Sequence, residues 1–198
     1  MSASGAGGVW LARHGALPPN PERRMVGARD IPLSPLGRAQ AAALGRELPP
    51  ALARSLRAVI CSDLRRCRES AALLMAAAVW PAGPPPLHPE PDLREICLGA
   101  WEGLTQAEIA ARFPGAWEAR GARMAGYAPP DGESFAQVQA RALRALRRWR
   151  KRCPEGPLLL VSHAGVIRCL LAHYLALPLG ELMRIPQHYA CRVFLPEW

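Results

Sequence analysis

Arg13-His14, Ser62 with Arg66 one helical turn later, and Ser162-His163 each follow a short apolar run, over residues 9–12, 58–61 and 157–161. Such runs, rich in Val, Leu and Ile, read as buried strands, so the polar residues fall at strand ends. In an open α/β sheet the C-terminal strand ends line the ligand crevice, where residues remote in the chain converge. Two guanidiniums and two imidazoles in one pocket suit a phosphoryl group. A planar Arg fork binds its oxygens two at a time, and a neutral imidazole nitrogen can attack phosphorus. Taken alone, a histidine at a strand end is more often a hydrogen-bonded structural residue, and an arginine is usually on the surface. Three such ends in one chain point to a shared pocket.

The elements that must position these residues are also legible. Ser34-Pro35 is a helix start, a hydroxyl N-cap followed by Pro at the first helical position, with periodicity to about residue 48. A second helix carries Arg65, Arg66 and Arg68 to about residue 78, and residues 81–91, with six prolines, read as an extended connector. Residues 93–130 hold few periodic apolar positions and suggest an insertion over the sheet edge, with a lid as one use. Gly132-Glu133-Ser134 opens a helix to about residue 152, a further helix spans 164–176, and 189–195 reads as the last strand. Strands alternating with helices predict an α/β fold, a mainly parallel central sheet with helices on both faces and a lid-like insertion. Residues 1–8 are expected to be a flexible leader and residues 9–198 a single domain.

Composition narrows the classes further. Of 198 residues 50% are hydrophobic and 21% charged, as in globular domains. No apolar run approaches the roughly 20 residues of a membrane span, and the start lacks a secretory pattern, so a cytoplasmic protein is expected. The net charge of +9 raises a nucleic-acid partner. However, Lys151 is the only lysine among abundant arginine and alanine, which reads as compositional background, and Arg144 to Arg152 falls on a predicted helix as a solvated face. The six cysteines are scattered without metal-ligand spacing and read as reduced, mostly buried thiols.

Arg13-His14-Gly15 after an apolar strand resembles the signature of the histidine phosphatase superfamily, in its phosphoglycerate-mutase-like branch. The resemblance runs over residues 9–195. Asn20, Arg24, Gly27, Asp30, Pro32-Leu33 and Gly37-Arg38-Ala39-Gln40 fall at the family's spacing. Ser62-Asp63-Leu64 with Arg66 and Glu69-Ser70-Ala71 is similar to the second motif. Leu93-Arg94-Glu95-Ile96 with Gly99 and Trp101-Glu102-Gly103 is similar to the acid-bearing one, and Gly132-Glu133-Ser134 to the start of the late helix. Val161-Ser162-His163-Ala164-Gly165-Val166-Ile167-Arg168 is similar to the second histidine motif.

Residue by residue, the resemblance implies that His14 is the nucleophile that becomes phosphohistidine, while Arg13, Arg66 and His163 hold the phosphoryl oxygens. It implies that Glu95 protonates the leaving alcohol and then acts as base for water. Asn20 matches a position that touches the phosphate, and the amide of Ala164 or a neighbour is expected to do the same. Glu102 is the second candidate acid, with pairing to a pocket arginine as its other reading. The implied chemistry uses no metal and no organic cofactor.

The chain departs from the pattern at Ala16-Leu17, where the family commonly has Glu-Thr, and at Pro18-Pro19; both touch the rim and bear on substrate choice. Cys67 and Ser70, where Ala and Thr are common, read as packing. A phosphatase acting on a small phosphorylated metabolite is expected, without a membrane or nucleic-acid partner. The first alternative is a phosphoglycerate-type phosphomutase, ranked second because Glu95-Ile96-Cys97-Leu98-Gly99 lacks the basic group that would hold a carboxylated substrate. The second alternative is a non-catalytic phosphate-binding or nucleic-acid-binding module. The pattern looks like the branch that contains α-ribazole phosphatases and broad sugar-phosphate phosphatases.

Overall fold

The computed structural model describes residues 7–196. In chain order the elements are β1 (Val9–Arg13), α1 (Pro35–Arg46), α2 (Pro50–Ser55), β2 (Ala58–Cys61), α3 (Arg65–Ala77) and β3 (Leu87–Pro89). They continue with α4 (Gln106–Arg112), α5 (Ala116–Ala122), α6 (Phe135–Arg152), β4 (Leu158–Ser162), α7 (Ala164–Tyr174) and β5 (Arg192–Leu195). The sheet order is β3-β2-β4-β1-β5. Every pairing is parallel except that of β5 with β1.

Every residue of β2 and β4 is buried, which explains their unbroken apolar runs: a central parallel strand is covered on both faces. Alternate side chains go to opposite sides. Leu11, Ile60, Leu158 and Leu160 join Val138 and Leu146 of α6 and Leu170 of α7 in one core. Ala12, Val59, Leu159 and Val161 meet Leu44 of α1, Leu52 of α2 and Leu74 of α3 in the other. Register then sets the site. Ala12 of β1 and Cys61 of β2 both lie opposite Val161 of β4, so His14, Ser62 and His163 leave the sheet at one level.

The helix starts follow the local chemistry. The Ser34 hydroxyl accepts from Gly37 N at 3.0 Å, and Ser134 with Gln137 closes a capping box at the start of α6. The proline connector differs from expectation, because Leu87–Pro89 pairs with β2 as an edge strand. An edge is where a sheet tolerates Pro, since the missing N–H is not asked for on the outer side. Helix α2 is too short to show a period in the sequence. The segment expected as an insertion is anchored to the core: Trp101 and Ile109 are fully buried, and the Trp101 ring packs 5.9 Å from Trp117 and 5.7 Å from Tyr127. Residues 1–6 of the expected leader lie outside the described residues, while Gly7 and Gly8 are buried.

The chain after His14 is clamped against α1 by a backbone contact that only glycine allows. A Cβ on Gly15 would lie 2.1 Å from the Gly37 carbonyl oxygen, and one on Gly37 would lie 2.0 Å from that of Ala16. Both the main chain and the hydroxyl of Ser34 donate to the Ala16 oxygen, and Ala16 N donates to Gln40 Oε1 at 2.8 Å. Gly37→Ala is therefore expected to cost about 1–3 kcal/mol through overpacking. Gly121→Ala, on α5 with no atom beyond the adjoining helix backbone within 4 Å of the new methyl group, should be neutral or stabilising by up to about 1 kcal/mol. Urea midpoints at unchanged m-value check both.

Candidate active site

His14 continues β1 past its last residue. Its N–H donates to the Ser162 oxygen at 3.0 Å, and its own oxygen accepts from Ala190 N at 3.1 Å. The ring is buried, with Nδ1 2.7 Å from the Gly15 oxygen. A carbonyl only accepts, so Nδ1 carries the proton and the Nε2 lone pair is left open. Burial holds the pKa of His14 down at about 3; the Arg66 charge adds to the shift, Arg13 adds a smaller part, and the Gly15 hydrogen bond opposes it. The imidazole is therefore neutral at physiological pH.

His163, the N-cap of α7, is fully buried 5.2 Å from the His14 ring. Arg66 Nε donates to its Nδ1 at 3.1 Å, so the ring proton sits on Nε2 and donates to Ser62 Oγ at 2.8 Å. Burial first, and then Arg66 and His14, push its pKa well below the usual range. Arg66 is 1% exposed on the first turn of α3. Its Nη1 donates to the Arg29 oxygen at 2.6 Å and its Nη2 to the Gly27 oxygen at 2.9 Å. Of five N–H donors, these and the bond to His163 leave two.

Arg13 is half-buried, its guanidinium 4.0 Å over the Tyr189 ring, with Nη1 donating to the Gln187 oxygen. Tyr189 also packs 5.7 Å from His14. Glu95 lies over the start of α7: Oε2 accepts from Gly165 N at 3.2 Å and Oε1 from Ile96 N at 3.0 Å. A Cβ on Gly165 would come within 2.3 Å of Oε1, so this carboxylate needs a glycine beneath it. A helix N-terminus attracts negative charge, and Ala164 is the first residue of that same turn. The other candidate acid, Glu102, faces the backbone, where Oε1 accepts from Ala28 N at 2.7 Å and Leu98 N at 3.1 Å.

A model of the histidine phosphatase superfamily, branch 1, matches residues 9–196. The chain belongs to the histidine phosphatase superfamily. It is 35% identical to a glucosyl-3-phosphoglycerate phosphatase of Mycolicibacterium vanbaalenii over 86% of this chain and 75% of that one. It is 28% identical to an adenosylcobalamin/α-ribazole phosphatase of Salmonella typhimurium over 92% of this chain and 87% of that one. Bacillus stearothermophilus YhfR superposes with a TM-score of 0.81 at 34% identity, covering 94% of this chain and 89% of that structure. This histidine phosphatase is a hydrolase of phosphomonoesters, and the superfamily works through a phosphohistidine intermediate.

The structure brings His14, His163, Arg66, Arg13 and Glu95 together. Asn20 stays at the rim, exposed, its amide closed onto Arg24, accepting from the N–H at 3.0 Å and donating to the oxygen at 2.8 Å. It lines a cavity of about 200 Å³ with Leu17, Pro19, Val26, Arg29 and Tyr189. Two residues read only as packing make polar contacts in this phosphatase. Ser70 accepts from Gly15 N at 3.1 Å and donates to the Arg66 oxygen at 2.8 Å, while Cys67 Sγ lies 3.4 Å from His163 Nε2. Tyr189, expected within the last strand, precedes β5 and backs the site. Its partners lie on other elements, so no local pattern marks it.

Neutral buried histidines make the fold acid-sensitive. In the unfolded chain a histidine takes up its proton near pH 6.5, whereas folded His14 resists protonation down to about 3. Stability present above pH 6.5 is therefore lost as pH falls, at up to about 1.4 kcal/mol per pH unit for a single histidine. Between about pH 6.5 and 5, before carboxylates contribute strongly, the unfolding free energy should fall, and in His14→Gln it should fall less steeply. Urea titrations at several pH values decide; equal slopes would refute the assignment.

Proposed function

We propose that this phosphatase hydrolyses a small phosphorylated metabolite, with His14 Nε2 as nucleophile and Glu95 as general acid and base. One observation carries the reading: the Nδ1–H of His14 is fixed to the Gly15 oxygen, which leaves a neutral Nε2 beside two guanidiniums. In the first step the Nε2 lone pair forms the N–P bond while the P–O bond to the alcohol breaks, and the departing oxygen takes the Glu95 proton. In the second, water attacks phosphorus, gives its proton to the Glu95 carboxylate, and the N–P electron pair returns to Nε2. Arg66 supplies its two remaining donors to the phosphoryl oxygens, Arg13 and His163 flank them, and the first turn of α7 at Ala164 adds a positive dipole end.

Asn20 acts at the entrance, where the cavity beside Tyr189 receives the alcohol portion. The walls there combine Leu17, Pro18, Pro19, Val26 and Ile31 with Arg24 and Arg29. The phosphatase reading is favoured over a phosphomutase because Ile96 and Leu98 are buried and Arg94 is tied to Asp63 at 2.6 Å, so residues 94–98 offer no basic side chain to a bound carboxylate. The relatives suggest glucosyl-3-phosphoglycerate and α-ribazole phosphate as the first compounds to assay, beside 3-phosphoglycerate and sugar phosphates.

Rapid mixing with labelled substrate and an alkaline quench is expected to place phosphate on His14, acid-labile and alkali-stable, and to leave His14→Ala unlabelled. Label on serine would remove the covalent mechanism. Glu95→Gln should lower kcat/KM about 10²–10⁴-fold for an alkyl phosphate, whose alkoxide cannot leave unprotonated. For p-nitrophenyl phosphate, whose leaving group is stable as an anion, the loss should be far smaller. Equal losses on the two substrates would show that Glu95 is not the acid.

A further inference from the structure

Glu102 lies within a segment that packs along the loop of residues 25–30. Immediately after it the two main chains are stitched together: Gly103 N donates to the Met25 oxygen at 2.8 Å, and Met25 N to the Leu104 oxygen at 2.8 Å. Beside those bonds a single Glu102 carboxylate oxygen collects the N–H groups of Ala28 and Leu98, at 2.7 and 3.1 Å. Gly27 makes this approach possible. Its φ of +53° lies in the left-handed region, and a Cβ there would stand 2.4 Å from the same Glu102 oxygen. The turn so held presents the Gly27 and Arg29 carbonyls, and these two oxygens bind both terminal nitrogens of Arg66.

We infer that Glu102 is a positioning residue for Arg66: its carboxylate fixes the turn at residues 27–29, whose carbonyls aim the guanidinium at the phosphoryl oxygens. A guanidinium held by carbonyls has no ion partner to fix its angle, so the placing of those carbonyls decides where its two remaining donors point. Glu102 thus acts on the turn, and proton transfer stays with Glu95. The inference rests on the reading of Arg66 as a phosphate ligand.

The test is titration of inorganic phosphate, which needs no turnover, into wild type, Glu102→Ala, Glu102→Gln, Arg66→Ala and the Glu102→Ala/Arg66→Ala double variant. Glu102→Ala should weaken phosphate about tenfold, and Glu102→Gln, whose amide oxygen can accept the same two bonds, should stay within about threefold of wild type. In the Arg66→Ala background the Glu102→Ala change should add less than about twofold, because the group it positions is gone. Glu102→Gln should also lower kcat/KM equally for alkyl and p-nitrophenyl phosphates. Additive losses in the double variant, no rescue by Gln, or a loss selective for the alkyl substrate would each overturn the inference. Wild-type phosphate affinity in Arg66→Ala would overturn the ligand reading and the inference with it, whereas absence of turnover across a substrate panel would count against the proposed function alone. If Glu102→Ala does not fold, Glu102→Asp, which withdraws the acceptor by one methylene, should show the same weakening, and unchanged phosphate affinity there overturns the inference equally.

Discussion

A buried positive charge that no carboxylate among the described residues hydrogen-bonds governs this molecule. Arg66 is 1% exposed, and its hydrogen bonds run to two carbonyls and an imidazole nitrogen, none of which carries a formal negative charge. Burying an ion costs heavily unless its donors are met. Dipoles meet three of them, and burial still holds the guanidinium's pKa below its ordinary value. Burial first, and the Arg66 charge second, keep both histidines unprotonated, since a charged ring is costly away from water and a second cation beside Arg66 is disfavoured. One constraint thus supplies a neutral nucleophile and a field that favours an incoming anion.

The surrounding structure reads as support for that arrangement. Ser70 ties the α3 backbone at Arg66 to the Gly15 N–H, so the arginine and the histidine loop move as one unit. Arg141 forms a two-bond ion pair with Glu133, at 2.8 and 3.0 Å, and donates to the main-chain carbonyls of Asp92 and Glu95, while Glu133 accepts from Cys97 N. Arg141 is only 11% exposed, so its donors are matched here as well. The segment that carries Glu95 is held from behind, which leaves the carboxylate to lie on the first turn of α7. The exposed basic residues of α6 belong to its solvent face, and Arg148 is paired with Glu90 at 2.7 Å.

Much of this was legible in the chain. Apolar runs that end in Arg, Ser or His marked β1, β2 and β4 and the residues leaving them, because a strand buried on both faces has to be apolar throughout and its polar neighbours must lie at its end. Ser34-Pro35 and Ser134 announced α1 and α6 because capping is local chemistry. The edge strand at Leu87–Pro89 was hidden by its prolines, and α2 by its shortness.

The amino-acid sequence by itself therefore determined the fold class, the strand ends and the residue types gathered there, since periodicity and capping act over a few neighbouring residues. Tertiary structure alone decided the geometry of each group. The tautomers of His14 and His163, the carbonyls that hold Arg66, the role of Ser70, the platform of Tyr189 and the backbone contacts of Glu102 all join residues far apart in the chain. Glu102 and Ala28 are 74 positions apart, and Arg66 and His163 are 97 apart. Hydrogen bonds at such separations depend on distances and angles of tenths of an ångström and a few degrees, and only the packed chain sets those.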